Sequence, residues 1–569
     1  MAEQIRGKGV IAGIAIGNIM MAGQNIDGYL AGYQPGNKDI ENQKIKDAVQ
    51  AVVSVLQTNI KTLQEKDMAE QAAILEAHRM LAQDPAMAEN MAAKLETTGS
   101  APHAILEAAK ESAAIFEGMD DPYFRERATD IRDVGKRIAK YILGVKEPEI
   151  GDAPVILCGE EIEPSVIASL PTEKIAGVIL GLGSTTSHAV IIAKARAIPT
   201  VVGLGDKIKE IPDGGQVIVD GERGDIVIRP DETQLADYRE KIKKQDELKA
   251  YYAQLAPLPA ITTDGVKTEL MANIGSHNDV DAALTYGAEG VGLFRSEFVF
   301  MGSSSIPNED DQFKAYKEAI EKCQGKLCVI RTMDIGGDKP LPYLNIPPEE
   351  NPFLGYRAVR ISLERKDLFL PQIKAILRAG VFGKAAIMIP MIINVSEFKA
   401  VRQIVEEAKL ELSHEGKAYS DSVQLGIMVE TPAAAVMTPV LAKYVDFFSI
   451  GTNDLVQYTL AVDRGNSSIA HLYNHFNPAV LTLIQRTATA AKEHGIWCGM
   501  CGEMASDPYA AVILMAMGLS ELSMSAPSIP RVKEKLRSVS STQAKEILAD
   551  VMKLEDGDEI KTYLQKVLD

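Results

Sequence analysis

In the second half of this 569-residue chain, two acidic side chains and two arginines, Arg295 and Arg331, stand at or shortly beyond the ends of short apolar runs, and a third arginine, Arg464, follows further on. Glu430 closes the run 423–429, and Asp454 follows Gly451-Thr-Asn453 after the run 447–450. A carboxylate pair on nearby strands suits an oxygen-preferring divalent cation such as Mg²⁺, which keeps several waters and takes further oxygens from its substrate. Arg295, Arg331 and Arg464 offer forked donors for a small, strongly anionic substrate carrying phosphate and carboxylate. A metal beside an arginine cluster indicates phosphoryl chemistry. The segment Arg331-Thr-Met-Asp-Ile-Gly-Gly-Asp-Lys339 adds a glycine pair beside two acids and a lysine, suited to a loop that folds over such a ligand.

Two further segments carry reactive groups. Cys498-Gly-Met-Cys501 has the spacing of a redox pair or half a zinc site, but no second pair of similar pattern accompanies it. A thiol acting as acid or base at the end of a strand is the sharper use of Cys501, and Cys498 reads as a small buried residue. In the first half, Gly181-Leu-Gly-Ser-Thr-Thr-Ser-His188 runs from a hydroxyl-rich loop into a helix. Backbone N–H donors and the helix dipole there favour a phosphoryl group on the imidazole. Spacing alone favours a capping loop with a bystander histidine over a nucleophile.

These residues need elements to hold them. Apolar runs at 269–274, 290–294, 327–332, 385–390, 423–429, 447–450, 496–500 and 521–524 alternate with helical patterns. Eight such repeats predict a parallel (β/α)₈ TIM-type barrel with its active site at the strands' C-terminal ends, where Arg295, Arg331, Glu430, Asn453, Asp454 and Cys501 all fall. An open doubly wound sheet is the alternative, but no G-x-G-x-x-G phosphate loop is present in the expected place. From 37 to about 143 the pattern is helical, with apolar residues at three- and four-residue spacing. From 153 short β-branched strands broken by glycine and proline predict a compact α/β domain. The stretch 10–19 has the same character, so the expected organisation is an α/β domain of residues 1–20 and 145–228, a helical bundle of 21–144 inserted in it, a linker helix within 229–256, and the barrel in 257–569.

Composition bounds the function. Sixty Lys and Arg against 78 Asp and Glu give a net charge of −18, which argues against a nucleic-acid binder. Five cysteines in so long a chain are no disulfide framework and fit a reducing cytoplasm. The stretch 10–22 could imitate a secretory signal, but Gly13, Gly17 and Asn18 interrupt it. No apolar run reaches the roughly 20 residues that span a bilayer.

Taken together, Thr186-Ser-His188, Gly287-Ala-Glu-Gly-Val-Gly-Leu-Phe-Arg295-Ser-Glu, Arg331 to Lys339, Val429-Glu430-Thr-Pro-Ala, Gly451-Thr-Asn453-Asp454-Leu, Asp463-Arg464-Gly-Asn and Gly499-Met-Cys501-Gly-Glu resemble one family over nearly the whole chain. It is the phosphoenolpyruvate-protein phosphotransferases, enzyme I of the bacterial sugar phosphotransferase system. The resemblance implies that phosphoenolpyruvate bound in the barrel phosphorylates His188. It assigns Mg²⁺ to Glu430 and Asp454, substrate binding to Arg295, Arg331, Asn453, Asp454 and Arg464, and protonation of the enolate to Cys501. It also implies a carrier, HPr, docking on the inserted helical domain, a homodimer formed by the barrel, and a swivel that lets His188 visit both partners. Seven acidic against three basic residues between Glu65 and Glu96 suit a basic carrier patch. The chain departs from the family pattern at Ser184, Thr185 and Lys194, where glycine, arginine and arginine are usual.

Two other functions are weighed against this one. Pyruvate phosphate dikinases and phosphoenolpyruvate synthases share the histidine and barrel domains but need a large ATP-binding domain, for which the roughly 120 inserted residues are too few. A non-catalytic scaffold that kept the fold would not need the full set of reactive residues.

Overall fold

The computed structural model describes residues 3–22, 26–65, 69–117, 122–145, 153–162, 166–167, 170–182, 188–303, 305–336, 341–344, 346–347, 349–466 and 468–569. Contacts divide the chain into two compact units, Met1–Gln245 and Asp246–Asp569. The division falls inside the helix Glu232–Leu255, within the stretch expected to link domains. No described helix is long and apolar enough to cross a membrane.

The first unit is built on one mixed sheet. Its strands are β1 (Glu3–Arg6), β2 (Lys8–Ile11), β3 (Ile14–Met21), β4 (Val155–Gly159), β5 (Ile175–Leu180), β6 (Thr200–Val202), β7 (Gln216–Asp220) and β8 (Asp225–Ile228), in the order β1-β8-β7-β3-β4-β5-β6-β2. The first strand anticipated from sequence is thus three. Gly13, at φ +130°, breaks the run, and each piece finds a different partner: β1 pairs with β8, β2 with β6, and β3 with β4 and β7. Among the described residues a short helix, Asp27–Gly32, follows β3, and the five longer helices before β4, Lys38–Glu65, Ala69–Ala82, Pro85–Thr98, Ala101–Glu117 and Pro122–Leu143, realise the helical pattern. Their apolar stripes close on one another through residues such as Val52, Leu56, Leu75, Ile105 and Ile138, all nearly or fully buried. Within this bundle the buried His78 pairs with Asp130 at 3.1 Å.

The helix Glu232–Leu255 is anchored at its start by Leu235 and Tyr238 against Ile218 and Val227. Glu240 and Lys244 form the i,i+4 ion pair that their spacing predicts, at 2.7 Å. Lys241 instead lies over the Tyr238 ring, 4.0 Å from its centroid.

The second unit is a closed parallel barrel of β9 (Glu269–Ile274), β10 (Val291–Arg295), β11 (Cys328–Arg331), β12 (Ala385–Ile389), β13 (Gln424–Val429), β14 (Phe447–Ile450), β15 (Trp497–Met500) and β16 (Glu521–Met524), with β16 paired to β9. Alternate side chains turn inward. Leu293, Val329, Met388, Met428 and Phe447 fill the lumen, while a larger apolar layer joins the strands to the surrounding helices. Trp497 stacks flat on Phe447, centroids 4.2 Å apart and planes 4° from parallel. A methyl group on Gly426 would stand 2.5 Å from the Phe447 ring, so glycine is what admits that ring. Gly426→Ala is expected to lose about 1–3 kcal/mol by overpacking and to shift the fluorescence of the chain's one tryptophan; thermal unfolding followed by tryptophan emission measures both.

Candidate active site

The strands' C-terminal ends converge on a cavity of about 280 Å³. Arg295, Arg331, Glu430, Asn453, Asp454, Arg464 and Cys501 all line it. The physical reason lies in the barrel: residues one position beyond or at the end of successive inward-tilted strands meet over the lumen whatever their separation in sequence.

At the centre are two buried guanidiniums. Arg331, at the end of β11, donates to Glu297 Oε1 at 2.6 Å and meets Asp334 Oδ2 at 3.1 Å. Arg357 meets Asp334 Oδ1 at 2.9 Å and Asp454 Oδ1 at 3.5 Å, and donates to the Tyr458 hydroxyl at 3.1 Å. Asp334 thus joins the two arginines. Burial pulls both guanidiniums down, but the surrounding carboxylates outweigh it and hold both well above the ordinary arginine range. They are permanent charges, and each has its planar fork fixed by partners.

Arg295 and Arg464 differ. Among the described residues neither makes a salt bridge, although both face the cavity. Two guanidiniums without a salt bridge among the described residues, facing a cavity in which Arg331 and Arg357 are paired, can receive an anion.

Glu430 is 1% exposed. Its Oε1 accepts the Met391 backbone N–H at 2.7 Å, whereas Oε2 is buried without a partner. Met391 has φ +59°, a left-handed conformation unusual for methionine, and that turn is what aims its N–H at the carboxylate. Burial, then Asp454 and Asp334, push the Glu430 carboxyl up to about 8 against the pull of Arg331 and Arg357. An orphaned oxygen on a carboxylate crowded by a second carboxylate fits a divalent cation, which would satisfy the one and offset the other. Among the described residues no cluster of three or more His, Cys, Asp and Glu forms, so these two would hold a metal that draws its remaining oxygens from water and substrate.

Asn453 and Asp454 lie in the first turn of the helix Thr452–Leu460. The Asn453 side-chain oxygen accepts the Glu503 N–H at 3.0 Å, tying the β14 and β15 ends together. Cys501, directly after β15, is a free thiol, 4% exposed. Burial pushes it up to about 12, with the Ser449 hydroxyl pulling the other way. It is a stored proton at the cavity floor. Cys498 faces the barrel's outer apolar layer, also as a free thiol.

His188 is the first residue of the helix His188–Ala195 in the other unit. Residues 183–187, including Ser184 and Thr185, lie outside the described residues, as do 337–340 of the glycine-pair loop. Lys194 is exposed in the helix's last turn.

Arg357 was not legible from sequence. It follows no strand; it stands before Ala358, whose φ of +52° starts the short helix Val359–Glu364 and turns the preceding side chain inward. An arginine after Gly355-Tyr in a long connection was the available signal.

Family models place this geometry. The PEP-utilising enzyme, PEP-binding domain matches residues 249–541, the PEP-utilising enzyme, mobile domain matches 151–224, and the PEP-utilising enzyme, N-terminal matches 6–127. A phosphoenolpyruvate-protein phosphotransferase of Staphylococcus carnosus is 40% identical over 570 residues, covering 100% of this chain and 99% of the relative. Proteins of the same description from Geobacillus stearothermophilus and Haemophilus influenzae are 45% and 46% identical over 88% and 84% of the chain, and 87% and 84% of their own lengths. With a full-length match of this kind and a barrel mouth furnished for a phosphorylated carboxylate, the chain belongs to the phosphoenolpyruvate-protein phosphotransferase family.

Proposed function

We propose that this chain takes the phosphoryl group of phosphoenolpyruvate onto His188 and passes it to the carrier HPr, releasing pyruvate, as the first step of a sugar phosphotransferase system. The observation that carries the reading is the pair of unpaired guanidiniums, Arg295 and Arg464, facing a cavity whose floor holds a buried thiol and a half-satisfied carboxylate. Arg295 and Arg464 bind the substrate's anionic oxygens. Arg331, held between Glu297 and Asp334, keeps its charge on the phosphoryl group as it leaves. A neutral His188 ring nitrogen forms the N–P bond while the enol C–O–P bond breaks at phosphorus, leaving the enolate of pyruvate. Cys501 then gives its proton to the enolate's methylene carbon, which becomes the methyl group of pyruvate.

Glu430 and Asp454 would hold Mg²⁺, which when bound supplies positive charge to the transferring phosphoryl oxygens. The phosphorylated His188 donates to HPr on the inserted helical domain, where the acidic stretch 65–96 favours a basic partner. The barrel forms a homodimer, and the protein works in the cytoplasm. The two stages require His188 to meet two partners in turn, so the phosphohistidine domain moves between them.

The test is incubation of the purified chain with phosphoenolpyruvate and Mg²⁺, without nucleotide, followed by intact mass and peptide mapping. An acid-labile phosphoryl group on His188, discharged by HPr, supports the relay; phosphorylation that requires ATP overturns it. Within the same assay the two floor residues separate. Glu430→Ala is expected to lose phosphorylation together with Mg²⁺ affinity, whereas Cys501→Ala keeps Mg²⁺ affinity and slows pyruvate formation by roughly 100-fold or more. Full phosphorylation in Glu430→Ala would remove the metal assignment.

A further inference from the structure

The barrel lumen contains a carboxyl group that the phosphoryl relay does not use. Glu521 opens β16 and is 3% exposed. It lies in register with Gly499 of β15. A methyl group on Gly499 would stand 1.9 Å from Glu521 Oε2, and one on Gly292 of β10 would stand 2.4 Å from Oε1. β15 is its neighbour and β10 is two strands away on the other flank, so the side chain reaches across the lumen through space that two glycines leave open.

No cation balances it. Among the described residues Glu521 makes no salt bridge, and its Oε1 is buried without a hydrogen-bond partner. The titratable groups that act on it or feel it are Glu269 on β9 and the two thiols Cys498 and Cys501; Lys267 is engaged with Glu269 and Glu289. Burial first, then Glu269, hold the carboxyl well above the ordinary range, with the Met500 N–H pulling the other way. Burial without a neighbouring cation favours the protonated form of such a carboxyl.

Above it a polar column leads to the active site. Ser523 is two residues further along β16 and therefore on the same lumen face. Its Oγ stands 2.5 Å from the same Gly292 point that Glu521 Oε1 approaches to 2.4 Å. Ser523 donates to Asn273 Oδ1 at 2.6 Å, and Asn273 Nδ2 donates to the Cys501 carbonyl at 3.0 Å. The parallel register that pairs Gly499 with Glu521 and Met500 with Leu522 brings Cys501 level with Ser523.

We propose that Glu521 is a positioning residue for proton transfer, which restores the Cys501 thiol by way of the Ser523 hydroxyl. The inference rests on Cys501 as the acid that protonates the enolate. When the thiol S–H bond breaks and its proton joins the enolate carbon, a thiolate remains in a buried site. The Ser523 hydroxyl turns from Asn273 and gives its proton to the sulfur, while the Glu521 O–H proton moves to the Ser523 oxygen. Glu521 is left as a carboxylate, which solvent reprotonates once pyruvate has gone. A second proton held beneath the first lets one closed site complete the proton transfer without admitting water.

The experiment measures pyruvate formation by the full chain with phosphoenolpyruvate, Mg²⁺ and HPr, across pH and across concentrations of imidazole buffer. Glu521→Gln preserves shape and is expected to slow turnover roughly tenfold, increasingly as pH rises, with imidazolium restoring most of the loss. The first phosphorylation of His188 keeps its rate. Ser523→Ala gives the same buffer-dependent loss with Glu521 still in place. Wild-type turnover in both variants overturns the inference, as does a loss that buffer acid does not restore and that follows the melting temperature down, since that is a packing defect. Cys501→Ala forming pyruvate at the wild-type rate would instead remove the reading on which the inference rests.

Discussion

His188→Ala is expected to take up no acid-labile phosphoryl group from phosphoenolpyruvate, a loss of at least about 1,000-fold, because a deleted nucleophile has no substitute within the helix that presents it. His188 is followed by Ala189, Val190, Ile192 and Ala193, all buried and all without nucleophilic side chains. That apolar face holds the helix on the sheet, so removal of its first residue costs little stability and the melting temperature stays near wild type. Binding of phosphoenolpyruvate and Mg²⁺ is also expected to persist, since every residue lining the barrel cavity belongs to the other unit. Calorimetry and intact mass on one preparation separate the two results. A phosphoryl group mapped to another histidine would overturn the assignment. Four of these are already engaged, the buried His78 with Asp130, His277 with Glu318 at 3.0 Å, His103 with Ser100 at 2.8 Å and His494 with the Ala490 carbonyl at 3.0 Å.

The barrel was legible because its signals are local and repeated. Each of the eight runs is short and apolar on the face turned to the helices, and most are apolar on the lumen face as well, and the observed strands begin or end within two residues of the expected positions. Arg295, Arg331, Glu430 and Cys501 were legible for the same reason: a polar residue at the end of an apolar run has one place to go in a parallel barrel. Legibility ends where position is set by something other than strand periodicity. Arg357 reaches the cavity from a connection, by way of the left-handed Ala358, and no hydrophobic pattern reports a single backbone angle. Glu521 reads in the sequence only as the first residue of the run 521–524, since an acidic residue at a strand's start has the character of a solvated end. The glycines that turn it inward lie 22 residues before it and on another flank of the barrel. In the first unit the three strands of residues 3–21 carry no sequence mark of their separate partners, which are supplied more than 130 residues later.

Arg331→Met tests how the charges at the barrel mouth depend on one another. The guanidinium of Arg331 is 8% exposed, and the carboxylates it pairs with, Glu297 and Asp334, are 1% and 2% exposed. A methionine fills much of the volume but takes from the buried Glu297 its 2.6 Å partner. Breaking one side of a buried pair in this way destabilises by about 3–5 kcal/mol. The replacement of both partners, Arg331→Met with Glu297→Gln, should recover part of the melting temperature. It should recover none of the phosphorylation, since the guanidinium is needed at the phosphoryl group and the carboxylate only to fix its direction. Arg331→Lys completes the series: it keeps the charge but not the planar fork, and a single ammonium cannot hold both Glu297 and Asp334 while facing the substrate. Phosphorylation of His188 is therefore expected to fall by 100-fold or more in Arg331→Lys at nearly wild-type stability. Equal phosphorylation in the lysine variant would mean that charge alone serves at this position, and that the bracing by Glu297 and Asp334 contributes to folding and not to transfer.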